Sequence, residues 1–312
     1  MALTVAGTIA LMFATLLGVP SPRLLTVPLA NLAARQHAGF PSATDTGVPP
    51  GTPLRSVPGQ VSHGPGWRFD RRGWVEVYGR GAVLTDLSIP YNVNVTASDV
   101  TIEDVRITVG GPDAIGISLR HARDVTIEDS TIRGLNTSRG RVMAGIKDIF
   151  GGSTGLAVAY DNISLFETGI QVESGLIEDN YIHRPGYIAG DHTNGIMSNG
   201  GGTKELTITH NTILVDRRQT DAIGLFEDFG PQRNRRITGN LLAGGGYAIY
   251  GGQEPGGPQS ANIVITGNDF SSMYYARGGY YGCAADFDQE GPRNVWSGNT
   301  WHSSAATSAS CD

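Results

Sequence analysis

An asparagine recurs at nearly constant spacing along the second half of this chain, each time after a segment rich in β-branched residues. Successive members are separated by 31, 29, 28 and 31 residues, and they are Asn180, Asn211, Asn240, Asn268 and Asn299. An apolar residue follows two positions after each of them. A period of this length is typical of a solenoid in which each repeat forms one β-coil. The spacing therefore predicts a stack of coils, each packed on its neighbours.

One repeat, Leu206 to Ile213, shows how a coil is built. Its apolar residues alternate with polar ones, which is the pattern of a strand with one buried face. Asn211 interrupts the alternation, and we expect it to adopt the left-handed backbone conformation of a sharp bend. Stacked coils would align such amides in a hydrogen-bonded ladder. Upstream, Asp104 and Asp129 hold the corresponding place 25 residues apart and predict two further coils.

A second family of strands begins with Gly-Ile or Ala-Ile pairs. Its isoleucines are Ile117, Ile146, Ile170, Ile196, Ile223 and Ile249. Neighbouring strands of a parallel sheet lie about 4.8 Å apart, so roughly eight or nine coils would give a rod about 40 Å long. We therefore predict an all-β parallel β-helix with an Asn ladder. The alternative is an antiparallel sandwich or propeller, which the scarcity of hairpin turns disfavours.

The chain divides into three predicted segments. Residues 1–34 contain an uncharged apolar run that is short for a membrane span and typical of a signal peptide, although an uncleaved anchor or a misplaced start codon is an alternative. Residues 35–60 are rich in proline and predict an extended entry segment. Residues 61–312 form the β-helix domain, whose glycine content, 44 of 312 residues, suits a chain that turns every few residues. The protein is predicted to be secreted and extracellular.

Two cysteines lie near the C-terminus, Cys283 and Cys311. In an exported protein they would most simply form a disulfide that ties the tail to the last coils. Two free thiols are the alternative.

The charge and the motifs exclude several classes of function. A net charge of −6 with no basic stripe argues against a nucleic-acid partner. The sequence has no zinc-type ligand spacing, no phosphate loop and no Gly-x-Ser-x-Gly elbow. No cofactor is implied with certainty. After removal of a signal peptide no membrane contact is expected, and the sequence leaves the oligomeric state open.

Several segments resemble a known family. They are Gly39 to Thr52, Gly190 to Ile196, Leu241 to Tyr250 and Gly278 to Gly282. Together they resemble secreted actinobacterial right-handed parallel β-helix proteins of the pectate-lyase-like superfamily, over most of residues 39–304. The resemblance implies a right-handed β-helix. It does not select a reaction, because one fold supports several activities.

Candidate site residues gather around the strands that begin with Gly-Ile or Ala-Ile. Asp191, His192 and Asn194 precede one such strand, and Asp221 holds the matching place one coil later. Further polar residues lie on nearby coils: Lys147, Gln171, Glu227 and Asp228. We expect these side chains to line one groove. Ordinary turn and surface residues are the alternative reading.

Two mechanisms could use this set. In a lyase acting on a uronate polymer, Lys147 or His192 would remove the C5 proton, and acidic residues could hold Ca²⁺. In a glycoside hydrolase, Asp191 and Asp221 would be the carboxylate pair, assisted by His192. Tyr247 and Tyr250 belong to a group of tyrosines suited to stacking on sugar rings, or to packing in the end of the rod.

The sequence thus predicts a secreted protein that recognises a polysaccharide partner and cleaves it by lyase or glycoside hydrolase chemistry. One alternative is a non-catalytic glycan- or cell-wall-binding protein. The other is a structural rod of the tail-spike type.

Overall fold

The computed structural model describes residues 39–111, 114–135, 142–302 and 311. The predicted signal peptide, residues 1–34, lies outside the described residues. The described chain is all-β and contains thirty strands, β1 to β30, in three sheets. Among the described residues there is no helix that is long and apolar enough to cross a membrane.

Each sheet collects one strand from every coil. Sheet 1 has ten strands: β1 (Arg55–Ser56), β6 (Leu87–Ile89), β9 (Arg106–Val109), β12 (Thr131–Gly134), β15 (Asn162–Ser164), β18 (Tyr181–His183), β21 (Thr212–Val215), β24 (Leu241–Gly244), β27 (Asp269–Phe270) and β30 (Thr300–Trp301).

Sheet 2 has eleven strands: β2 (His63–Gly64), β3 (Trp67–Asp70), β4 (Trp74–Val77), β7 (Asn92–Val95), β10 (Ile115–Leu119), β13 (Ala144–Asp148), β16 (Thr168–Gln171), β19 (Thr193–Ser198), β22 (Thr220–Leu225), β25 (Tyr247–Gly251) and β28 (Gly282–Ala285).

Sheet 3 has nine strands: β5 (Val83–Thr85), β8 (Ser98–Glu103), β11 (Arg123–Glu128), β14 (Ala157–Ala159), β17 (Gly175–Glu178), β20 (Leu206–Thr209), β23 (Arg233–Thr238), β26 (Ala261–Thr266) and β29 (Val295–Ser297).

From β4 onward, each strand pairs in parallel with the strand three places later in the chain. The chain therefore winds as a parallel β-helix of about nine coils. The first strands of sheet 2, β2 to β4, are the exception and pair antiparallel. The predicted fold class and number of coils are confirmed. The core is a stack of aliphatic side chains. The isoleucines predicted to begin the sheet-2 strands lie at the third or fourth residue of each strand and are fully buried in this core: Ile117, Ile146, Ile170, Ile196, Ile223 and Ile249.

The predicted asparagine ladder runs along the turns between sheet 3 and sheet 1. The side-chain oxygen of Asn211 accepts hydrogen bonds from the backbone and side-chain nitrogens of Asn180, at 3.0 and 2.9 Å. The same pair of bonds recurs up to Asn299. Toward the N-terminus the ladder continues through Asp161 and Ser130.

The backbone of the ladder differs from the expectation in one respect. The left-handed residue is the one before each asparagine, such as Asp179 and His210, with φ of 57° and 52°. Asp104 and Asp129 occupy this left-handed position, with φ of 54° and 48°, and are not ladder residues. The reason is that the ladder amide must point into the turn from a right-handed or extended backbone, while its predecessor makes the bend.

The entry segment crosses the outside of the coils in the reverse direction. Near its start, Phe40 contacts the rings of His210 and His302, with centroids 5.9 and 5.6 Å away. The Gly47 N–H then bonds to the Tyr160 carbonyl at 2.7 Å. β1 finally pairs with β6. We call residues 40–56 the strap, because they contact both late and early coils.

A disulfide joins Cys283 in β28 to Cys311, as the sequence predicted. It closes a loop of 28 residues and holds the tail on the last coils.

Candidate functional site

One row of side chains points outward from the middle of sheet 2. It consists of the residue after each buried isoleucine, and the strand register aligns its members: Ser118, Lys147, Gln171, Met197, Gly224 and Tyr250. Because side chains alternate across a strand, the buried isoleucines place these neighbours on the outer face. We call this row the floor.

A pocket of about 560 Å³ opens over the floor at the carboxyl ends of β13 to β22. Lys147 and Gln171, register partners on adjacent strands, form its base. Phe150 and Phe229 line it as well, and their side chains are 57% and 74% exposed. Two exposed aromatic rings beside a polar base make this pocket the candidate site for a ligand.

Glu173 forms the back of this pocket and fixes the turn that follows β19. Its carboxylate accepts hydrogen bonds from the Ser198 hydroxyl at 2.7 Å and from the N–H groups of Asn199 and Gly200 at 2.7 and 3.1 Å. The fully buried guanidinium of Arg235 lies 3.6 Å away. Burial raises the pKa of Glu173, although these bonds and Arg235 oppose the effect. A network of this kind holds the pocket wall in one geometry.

The turn after β19, which contains Gly200 and Gly201, also holds Phe229 at the pocket mouth. Gly200 and Gly201 have φ of 83° and 77°, which glycine adopts readily. The Phe229 N–H bonds to the Asn199 carbonyl at 3.0 Å, and the Gly201 N–H bonds to the Gly230 carbonyl at 3.2 Å. The exposed ring is therefore carried on a backbone fixed by two loops.

Phe150 is supported from its other side. The His121 ring stacks on it with centroids 4.8 Å apart, and the Arg120 guanidinium lies 5.5 Å from its centroid. The Arg120 Nε also donates to Asn94 at 2.8 Å, which anchors the arginine. Phe150 is thus oriented although more than half of it is exposed.

The Lys147 amine is the titratable group at the base of the pocket. The side chain is half-buried, and its Nζ lies 3.8 Å from the Met143 sulfur. Burial lowers the pKa of Lys147, and the charge of Glu167 opposes this. An amine in such a setting can donate to a sugar oxygen and loses its proton more readily than an exposed lysine.

The aspartate and histidine predicted as catalytic lie toward the amino ends of the sheet-2 strands. Asp191 is buried, and its carboxylate accepts a bond from the Ile188 N–H at 2.8 Å, which closes a turn. His192 is exposed, and its ring lies beside the Gln219 amide at 3.2 Å. Asn194 bonds through its amide to the His192 carbonyl at 2.9 Å.

Asp221 is fully buried in the next strand, opposite Asn194 in the register. Among the described residues neither of its carboxyl oxygens has a hydrogen-bond partner. Gly224 and Phe226 lie against it, and burial raises its pKa far above the usual range. The same burial, with the Asp221 carboxyl nearby, raises the pKa of Tyr250 to about 12. The Asp221 carboxyl therefore lies near the rings of Phe226 and Tyr250, whose centroids are 5.6 Å apart.

The predicted residues thus form two groups. Lys147 and Gln171 share the pocket, whereas Asp221 lies three strands beyond Lys147, about 14 Å at the usual strand spacing. Glu227 is buried and accepts a bond from the Ser260 hydroxyl at 2.6 Å, while Asp228 beside it is exposed. These residues do not line one continuous groove, although all of them belong to sheet 2 or to its flanking loops.

The predicted tyrosines cluster over the last sheet-2 strands. Tyr247 packs edge-on against Tyr250 with centroids 5.5 Å apart, and lies 5.7 Å from Tyr281. Tyr281 is 58% exposed and Tyr280 43%. The two groups of exposed aromatic residues therefore lie over different coils of one sheet.

Sequence reasoning missed Glu173, Phe150 and Phe229. Each follows a sheet-2 strand by two to four residues, and both phenylalanines precede glycine. A search for aromatic residues beside glycine just after the Gly-Ile strands would have found the two rings. As for calcium, the described residues contain no group of three or more His, Cys, Asp or Glu side chains placed to hold a metal ion.

No protein-family model matches this chain, and no curated protein matches it. Among solved structures, it is similar to the crystal structure of the Dettilon tailspike protein, with 12% sequence identity and a TM-score of 0.26. The similarity covers 73% of this chain and 54% of the tailspike chain, so this chain spans about half the length of that protein. A similarity this weak carries no argument about function.

Proposed function

We propose that this protein is an extracellular polysaccharide-binding β-helix whose binding face is the outer face of sheet 2. The pocket between Phe150 and Phe229, with Lys147 and Gln171 at its base, carries the proposal. The apolar C–H face of a sugar ring packs well on an aromatic ring, while its hydroxyls need donors and acceptors. The pocket offers both in a space large enough for one or two sugar rings.

The extended course of the floor favours a polymer over a single sugar. Gln171, Met197 and Tyr250 continue the row beyond Lys147 at the strand spacing of about 4.8 Å. An extended glycan advances by a similar length per residue. Successive sugars would therefore meet successive coils.

The test is binding to a panel of neutral and acidic polysaccharides, measured by affinity electrophoresis and calorimetry. Phe150→Ala and Phe229→Ala should each weaken binding about tenfold, because losing burial of an aromatic face costs about 1.5 kcal/mol. Val295→Ala removes an exposed apolar side chain from sheet 3 and should leave affinity unchanged. Equal affinity of all four proteins for the bound glycan would refute this site.

Cleavage is the second candidate, favoured by the lowered pKa of Lys147. In a uronate lyase the neutral amine would take the C5 proton, the C4–C5 double bond would form as the bond from C4 to the glycosidic oxygen breaks, and the departing oxygen would take a proton from water or from the new ammonium group. Unsaturated-product absorbance and reducing ends would then rise together. Lys147→Met should abolish both, whereas Lys204→Met, at the other and exposed lysine, should not. Silence from the wild type on both readouts, with binding retained, would leave binding as the function.

Extracellular location is part of this proposal. The Cys283–Cys311 disulfide supports it, since such bonds persist in oxidising compartments. Membership of the pectate-lyase-like superfamily and a right-handed coil are proposed on the sequence resemblance. A structural rod of the tail-spike type is the rival, and it predicts a stable oligomer that light scattering would detect.

A further inference from the structure

The loops on the two edges of sheet 2 carry opposite charge along the last four coils. Loops from sheet 1 into sheet 2, residues 184–192, 216–219, 245–246 and 271–281, hold four arginines and two aspartates. Loops from sheet 2 into sheet 3, residues 199–205, 226–232, 252–260 and 286–294, hold seven carboxylates and two cations. The chain as a whole is acidic, at −6. A basic edge on an acidic protein is therefore a local arrangement.

Two of these arginines are mounted on tyrosine rings. The Arg217 guanidinium lies 5.3 Å from the centroid of Tyr187, and that of Arg218 lies 4.8 Å from the centroid of Tyr280. Arg218 also hydrogen-bonds to the Tyr275 hydroxyl. A guanidinium stacked by its face keeps its N–H edge for other partners. Arg218 is exposed, as is nearly half of each ring beneath the pair.

The acidic groups at this edge offset part of the charge of Arg217 and leave that of Arg218 in place. Asp216 lies 3.6 Å from the Arg217 Nε, and neither atom forms a hydrogen bond among the described residues. Asp191 is buried in its own turn. Arg218 has no carboxylate within ion-pair distance in the described part of the chain, and the exposed His192 and Gln219 lie next to it along this edge.

From this geometry we infer that Arg217 and Arg218, with Tyr187 and Tyr280, form a subsite for an oxyanion substituent on the glycan bound over sheet 2. The exposed guanidinium edge of Arg218 suits a planar or tetrahedral oxyanion, whether carboxylate, sulfate or phosphate, and Arg217, held on the ring of an earlier coil, adds positive charge beside it. The exposed tyrosine faces receive the sugar that bears it. This inference rests on the proposed function.

The acidic edge opposite limits the kind of glycan. A polymer charged on every residue would place part of its charge against the loops that contain Glu227, Glu254 and Asp286, and would be repelled there. A chain of mostly neutral sugars with widely spaced oxyanions avoids this, because its few charged substituents can all point toward the arginines. The class of ligand is thus a sparsely charged heteropolysaccharide.

The probes are four dextrans of the same chain length: one unmodified, one lightly sulfated, one heavily sulfated and one lightly carboxymethylated. Titration at low salt should show that the lightly sulfated or carboxymethylated chain binds about tenfold more tightly than unmodified dextran. The heavily sulfated chain should gain no more affinity per sulfate group than the lightly sulfated chain gains. The two lightly modified chains separate sulfate from carboxylate recognition. Added salt should remove the difference.

Variants assign the effect to the two arginines. Arg217→Gln combined with Arg218→Gln should abolish the preference for the charged chain. Lys204→Gln combined with Arg293→Gln also removes two positive charges, both at exposed residues on the acidic edge, and should keep the preference. Retained preference in the Arg217→Gln, Arg218→Gln variant, or no binding of either lightly modified chain by the wild type, would overturn the inference. If binding requires Phe150 and Phe229 but does not depend on the charge of the glycan, the oxyanion subsite is refuted and the proposed pocket stands. If binding requires the arginines but not the two phenylalanines, the proposed pocket is refuted instead.

Discussion

Replacing Asp161 by asparagine should stabilise this protein, and should do so more at neutral than at acidic pH. Asp161 is fully buried within the asparagine ladder. Its Oδ1 accepts the Ser130 N–H at 2.7 Å, but its Oδ2 has no hydrogen-bond partner among the described residues. Burial raises its pKa far above the usual range. The carboxyl occupies a place where the next coils carry an amide.

The neighbouring coils show what an amide would do there. The Nδ2 of Asn211 donates to the Ile177 carbonyl at 2.9 Å and to the Asn240 side-chain oxygen at 3.0 Å. By the strand register, an amide at position 161 would donate to the Ile127 carbonyl and to the side-chain oxygen of Asn180. Each such bond adds about 1 kcal/mol, so the substitution should add about 2 kcal/mol to the free energy of unfolding.

The dependence on pH follows from the raised pKa. The folded protein keeps the Asp161 proton at pH values where the unfolded chain has released it. Stability is therefore lost as pH rises from the unfolded pKa toward the folded pKa of Asp161, in addition to the effect of the missing hydrogen bonds. The asparagine variant has no such loss. Below the unfolded pKa the protonated acid can itself donate one bond, so the advantage of asparagine shrinks to about 1 kcal/mol.

Thermal unfolding followed by circular dichroism between about pH 3 and pH 8 measures both effects. Each kcal/mol should raise Tm by about 2–4 °C in a domain of this size. Asp228→Asn removes a carboxylate that is exposed, and should change stability by less than about 0.5 kcal/mol at every pH. A lower Tm for Asp161→Asn at neutral pH, or an advantage that does not grow with pH, would refute the reasoning.

Three further outcomes are expected. Asn240→Ala removes ladder bonds to two coils and should lower the free energy of unfolding by about 3 kcal/mol in urea titrations, and a loss under about 1 kcal/mol would contradict a cooperative ladder. Cys283→Ser opens a loop of 28 residues and should cost about 3–4 kcal/mol, an effect that should vanish when both proteins are compared in reductant. Gly200→Ala, whose Cβ would lie 2.1 Å from the Gly230 carbonyl oxygen, should weaken glycan binding about tenfold, whereas Gly73→Ala, with φ of 104° and open space, should leave binding unchanged.

The fold could be predicted from the sequence because the same pattern of residues recurs in many coils. Each coil buries an isoleucine at the same place in sheet 2 and presents an asparagine at the same turn, so Asn211 and Ile223 each have equivalents in several coils. The assignment of Asp104 to the ladder failed for a local reason. Asp and Asn both favour left-handed turns and both can accept a backbone N–H, and only the register separates the two adjacent positions.

The candidate site was predicted less well. Lys147 and Gln171 were found because they follow the repeated isoleucines. Phe150 and Phe229 were not, because they lie in loops that differ in length from coil to coil and carry no period. Placing a loop residue over a sheet requires the bonds that hold the loop, such as that from the Phe229 N–H to the Asn199 carbonyl.

The strap has a consequence for the order in which this protein folds. A solenoid normally gains stability coil by coil, since each repeat contacts only its neighbours. Phe40, however, rests against His302, a residue that is synthesised more than 250 positions later. The strap is therefore synthesised long before part of the surface on which it docks. We expect the early chain to stay accessible to proteases and chaperones until the final coil has closed, so that assembly of the whole rod becomes one late and concerted event.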